Sequence, residues 1–115
     1  MGFMATTTMS DNKTIYVLTR VQGSYSDRSE NILCAAYKEE SLVEPAKLDY
    51  IKELEFSAPW ATSRPEKLKQ TIDKMKETYC VSVASLNEKI ADNNLTHHDP
   101  WYTVEAVEIV DALEH

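Results

Sequence analysis

Apolar and polar positions divide the chain into segments of two different periods. Thr14-Ile15-Tyr16-Val17-Leu18-Thr19-Arg20-Val21 is dense in β-branched and aromatic residues, a content that favours a strand. Alternation sets Ile15, Val17, Thr19 and Val21 on one face and Tyr16, Leu18 and Arg20 on the other. The first face reads as the buried one, the second as only partly covered. Asn31 to Lys38 forms a second strand, with Ile32, Cys34 and Ala36 opposed to Leu33, Ala35 and Tyr37. The polar stretch from Gln22 to Glu30 between them, which includes Gly23, predicts an antiparallel hairpin with a long tip.

Beyond Glu40 the period changes. Ser41-x-x-Glu44 has the form of a capping box, and Pro45 is tolerated in a first helical turn, where N–H groups lack partners. Leu48, Ile51 and Leu54 then give the apolar stripe of a short helix ending near Phe56. A strand over the same residues stays open, because Leu48, Tyr50, Leu54 and Phe56 share a parity. After a break at Ser57 to Thr62, Ser63-Arg64-Pro65-Glu66 repeats the start signal. Leu68, Ile72, Met75, Tyr79, Val83, Leu86 and Ile90 follow at spacings of 4, 3, 4, 4, 3 and 4, a helical stripe with almost no drift. A continuous helix from Pro65 to Asn93 would run about 43 Å. The β-branched content of Thr78 to Val83 is its weak point and permits a strand or a break there. Asp92-Asn93-Asn94 ends the helix, and Leu95 to Pro100 crosses over. Trp101 to Val110 is a closing strand in which Val104, Ala106 and Val110 alternate against Glu105, Val107 and Ile109, with Glu108 out of phase.

Hairpin, helices and a closing strand imply an α+β fold, a small antiparallel sheet packed on one short and one long helix that cover one of its faces. The Ile15-Tyr16-Val17-Leu18 opening, a second strand closing on Tyr37, and Trp101-Tyr102-x-Val104-Glu105-x-Val107-Glu108-Ile109 resemble small uncharacterised bacterial and phage proteins of hairpin–helix–strand plan. The resemblance covers the strands only, since the central helical region is longer here, and it carries no catalytic residues.

Composition narrows the function classes. The 115 residues suit a single core of ordinary soluble composition, read as a leader over residues 1–12, one domain over 13–112 and a tag remnant over 113–115. Gly23 is the one glycine outside the leader, which excludes the glycine-rich phosphate loops and dinucleotide fingerprints. Neither a signal-peptide pattern nor an apolar run of about 20 residues is present, so the expected compartment is the cytoplasm, with no membrane association. Cys34 and Cys80 lie in apolar stretches and read as free, buried thiols. A net charge of −7, with acids interleaved among Arg64, Lys67, Lys69, Lys74 and Lys76, argues against a nucleic-acid partner. The acidic excess beyond Lys89 suits a basic protein surface instead.

Catalytic chemistry finds little support. His97-His98-Asp99 is the one histidine cluster, but adjacent histidines in an extended loop point apart and seldom chelate one ion. Neither a nucleophile nor an orienting carboxylate is nominated for them, and no cofactor or metal is expected. Glu105 and Glu108 fall on opposite strand faces and so do not form an acid/base pair. The interaction candidates are Tyr25 and Arg28 at the hairpin tip, the proline-preceded Trp60 and Trp101, and the carboxylates Glu105 and Glu108. The long stripe exceeds the width of a three-stranded sheet, about 15 Å, which predicts a homodimer built on that helix and an edge strand. The leading expectation is a non-enzymatic interaction module or inhibitor. A small-ligand sensor with Trp60, Trp101, Tyr25 and Arg28 lining a pocket comes second, and an enzyme using His97-His98-Asp99 comes last.

Overall fold

The computed structural model describes residues 13–23, 28–56, 63–95 and 99–109. Strands β1 (Lys13–Gln22), β2 (Ser29–Ala36) and β3 (Trp101–Ile109) form one antiparallel sheet in the order β2-β1-β3. After β2 comes a 3-10 turn, Glu39–Leu42, followed by helices α1 (Val43–Phe56), α2 (Pro65–Glu77) and α3 (Val83–Asn93). The fold is α+β, with the helices on one face of the sheet. Gly23 takes φ 90° at the end of β1, a conformation that costs glycine nothing.

The face of β1 that turns to the helices is the one with Tyr16, Leu18 and Arg20, the reverse of the burial expected from its residue types. Leu18 is 0% exposed, and Tyr16 packs against the core, while Ile15, Val17 and Thr19 look outward and are half-exposed. Opposite them on β3, Tyr102 and Val104 pair with Arg20 and Leu18 and join the helix side. In β2 the simple alternation fails. The ladder with β1 shifts between Leu18 and Thr19, so Leu18 pairs with Cys34 but Thr19 pairs with Ile32. Leu33 is the extra residue of a bulge, and both Leu33 and Cys34 reach the core while Ile32 is turned out and 75% exposed.

The α1 segment is a helix, not a strand, and it begins at Val43, later than a cap at Ser41 would start it. Chain reversal is taken by the 3-10 turn, closed by the Ser41 amide on the Lys38 carbonyl at 3.1 Å, so Ser41 lies inside a turn instead of at a cap. Ala46, Tyr50 and Leu54 make the inward row with Lys47 and Ile51, whereas Leu48 is exposed. The long helix is in fact two. Pro65 does open α2 at its first turn, with Arg64 as the cap residue. Thr78 then leaves helical geometry, and its hydroxyl donates to the Lys74 carbonyl at 2.7 Å. Lys47 of α1 donates its Nζ to the Thr78 carbonyl at 2.7 Å, and Ser82 caps α3 by accepting from the Ser85 amide at 3.0 Å. Each broken end thus has a polar partner, which makes a break cheap there. α3 ends on Asn94 in the left-handed region.

The stripe proposed as a dimer helix is largely consumed inside the protomer. Leu68 and Met75 on α2 and Val83, Leu86 and Ile90 on α3 are buried in the core, and Ile72 packs against it. Tyr79, in the linker between the two helices, is 81% exposed. A continuous helical face of this kind does not exist, and the structural ground for a dimer built on it goes with it.

Candidate interaction surface

Among the described residues the helices lie on one side of the sheet only, so its second face defines a surface. Register fixes its members: Lys13, Ile15, Val17, Thr19 and Val21 of β1; Trp101, Thr103, Glu105, Val107 and Ile109 of β3; and Glu30, Ile32 and Ala35 of β2. Eight of these thirteen are apolar and eight are β-branched, a composition proper to a covered sheet face. Ile32, Trp101, Val107 and Ile109 are among the large hydrophobic residues left exposed.

Both ends of this face are closed by a cation on an aromatic ring. At one end Arg28 stands over Trp101 with 5.9 Å to the ring centroid, and its Nε lies 3.3 Å from Glu30. Glu30 and Trp101 flank Val21 on opposite sides in the ladder, so the Arg28 side chain bridges the sheet at that level. Val21 beneath is 2% exposed although its face is open. At the other end the Lys13 ammonium stands 5.9 Å from the centroid of Tyr37. Between these two pairs, the floor is Ile15, Val17 and Thr19.

On the helix side the sheet is tied down by charge. Arg20 donates to both Asp49 oxygens, at 2.8 and 3.0 Å, and lies 3.3 Å from Glu53. The Tyr102 hydroxyl donates to Asp49 Oδ2 at 2.7 Å, and Gln22 donates to Glu53 at 3.2 Å. Burial opposes the Arg20 charge, but the hydrogen bond and charge of Asp49, helped by Glu53, more than offset this and raise its pKa. Burial, reinforced by the bond to Asp49, pushes the Tyr102 hydroxyl well above the ordinary tyrosine value. Tyr50, buried and receiving the Asn93 amide at 3.2 Å, is pushed up to about 12, chiefly by burial. Every carboxylate of this cluster already faces a cation or donor, an arrangement suited to fastening α1 to the sheet and not to proton transfer.

Of the residues singled out from the sequence, Arg28, Trp101 and Glu105 lie on the open face, and Arg28 and Trp101 meet there. Glu108 is on the opposite face, paired with Thr14 near the strand end and exposed. Tyr25, Trp60, His97 and His98 lie outside the described residues. Asp99 accepts from the Leu95 amide at 2.8 Å. No group of three His, Cys, Asp or Glu side chains able to hold a metal occurs among the described residues, and no helix there is long and apolar enough to cross a membrane. Cys34 and Cys80 are free thiols, the first half-buried and the second buried. Lys13, Ile32, Tyr37, Val107 and Ile109 were not legible as surface residues, because their exposure depends on which side the helices take and on the bulge. The signal that could have shown it was Arg20, whose charge needs a partner and finds Asp49 and Glu53 one helical turn apart on α1. No family model, characterised protein or solved structure matches this chain.

Proposed function

We propose that this protein is a non-enzymatic interaction module, of inhibitor or adaptor type, whose contact surface is the open face of the sheet. The observation that carries the reading is the half-buried row Ile15, Val17, Thr19 on the central strand, flanked by the exposed Ile32, Trp101, Val107 and Ile109 and framed by Arg28–Trp101 and Lys13–Tyr37. Central strands are normally covered on both sides or polar on the free one. Contiguous exposed apolar surface rimmed by polar groups marks interaction sites, and Trp and Arg are enriched where binding energy concentrates.

A small-ligand site is the second reading, favoured by a concavity of about 350 Å³ lined by Ile90, Pro100, Trp101, Asn87, Asn94 and Asp99. Its polar groups are largely engaged. Asn87 both donates to the Tyr102 carbonyl (2.7 Å) and accepts from its amide (2.9 Å), the Asn94 carbonyl accepts from Arg64, and Asp99 holds Leu95. The interaction reading therefore stands first.

A photo-crosslinking amino acid at Ile32, compared with one at the exposed Lys69 of α2, tests it in native extract. Protein adducts at position 32 and none at 69 are expected. Absence of adducts at 32 would refute a contact role for this face.

A further inference from the structure

We propose that the open face is covered by a second copy of this chain, sheet against sheet, so that β1 of one protomer lies over β1 of its partner. This rests on the reading of that face as a contact surface and names its occupant.

Charge selects the occupant. The whole chain carries −7, so two copies repel over most of their surface. On the open face, however, the described residues set Lys13 and Arg28 against Glu30 and Glu105, two cations to two anions, so its described part is charge-balanced. Carboxylates cluster off this face, as with Glu39, Glu40 and Glu44 around the start of α1. A basic partner drawn by the field of the chain would be steered to those carboxylates. An identical chain can approach without penalty only where its charge is balanced, and the charge-balanced part is also the apolar one.

Size points the same way. Strands about 4.8 Å apart, with about nine residues rising about 3.3 Å each, give each face roughly 14 by 30 Å. Stacking two such faces at the usual sheet separation of about 10 Å buries on the order of 1,000 Å², the lower limit of a specific interface. An interface at this limit belongs to the weak, transient class, so the dimer is expected to form at tens of micromolar protein and to be lost on dilution. The cation–aromatic pairs mark the two ends of the contact, where the flat apolar floor stops.

Sedimentation equilibrium of the full chain between about 1 and 200 µM is the test. The expected result is a monomer–dimer equilibrium, weakened at least tenfold by Ile32→Lys combined with Val107→Lys and left intact by Leu48→Lys on the helix side. Ile32 and Val107 are exposed in the protomer, so circular dichroism should show that the double variant is folded; a single Ile32→Lys variant serves if it is not. A wild-type monomer throughout the range, or a dimer insensitive to both sheet-face variants, overturns the proposal. A crosslink from position 32 to a different protein, with a monomeric wild type, overturns the second copy while leaving the face as a contact surface; no crosslink at all removes both.

Discussion

Tyr102 on β3 and Asp49 on α1 are joined by a 2.7 Å hydrogen bond in which the phenol donates to the carboxylate. The same carboxylate holds Arg20 of β1, so one side chain fastens the helix to two strands at once. Tyr102→Phe removes one neutral donor and leaves the ion pair, and it should lower stability by about 1–2 kcal/mol in urea unfolding. Asp49→Ala leaves Tyr102 without its acceptor and Arg20 with Glu53 alone, and it should cost about 2–3 kcal/mol, less than for a fully buried pair because Arg20 and Asp49 keep some exposure. Equal losses in the two variants would show that Asp49 is not the shared anchor.

Alkaline stability follows from the two buried phenols. Tyr50 and Tyr102 both have folded pKa values above the ordinary tyrosine value of 10.0. The folded state keeps protons that the unfolded chain releases, so their contribution is full below pH 10 and declines as pH rises beyond it. Between pH 10 and about 12, unfolding free energy should fall by about 1.4 kcal/mol per pH unit for each tyrosine. Urea titrations at pH 9, 10.5 and 11.5 measure it, and Tyr102→Phe should flatten the slope. A slope unchanged by that substitution would mean that Tyr102 ionises freely in the folded protein.

The joint between α2 and α3 depends on few groups. Ser82→Ala removes the oxygen that accepts from Ser85 and should cost about 1 kcal/mol. Lys47→Met keeps most of the buried stem but leaves the Thr78 carbonyl without its donor, at a comparable cost. Thermal melts of both variants and of the pair would check this; because the sites cap different helix ends, the losses should add.

The two thiols should react at different rates. Cys34 is half-buried near the bulge, whereas Cys80 is 5% exposed. A disulfide reagent should modify one thiol per chain readily and the second only at the rate of opening, and Cys34→Ser should abolish the fast phase. Two fast phases would place Cys80 in a solvent-accessible setting.

Much of the fold was legible where one local signal acted alone. The hairpin, the closing strand, the start of α2 at Pro65 and the end of α3 at Asn94 follow from turn chemistry and alternation. What failed depended on contacts distant in sequence. The apolar content of Ile15, Val17 and Val21 named the wrong face, because the side the helices take is decided by Arg20 finding Asp49 and by Leu18 finding the core. Ile32 and Cys34, expected on one face, part because a one-residue bulge reverses the side chains beyond it. The stripe from Leu68 to Ile90 has the period of one helix, yet its β-branched middle is a linker whose ends are satisfied by Lys47 and Ser82. Leu48 yielded its place to Tyr50, whose hydroxyl is met by Asn93, a partner 43 positions away. Of the surface, Arg28 and Trp101 were visible as types, and their meeting across β1 was not.

The register shift between Leu18 and Thr19 also bears on how large an assembly can grow. β2 and β3 are both edge strands, and a straight edge would let chains add to one another without limit along the hydrogen-bonding direction. A bulged strand bends and twists, and it cannot present an unbroken row of amides and carbonyls to a neighbour. The extra residue at Leu33 thereby obstructs ribbon-like polymerisation at that margin, and the face-to-face association proposed above would stop at two.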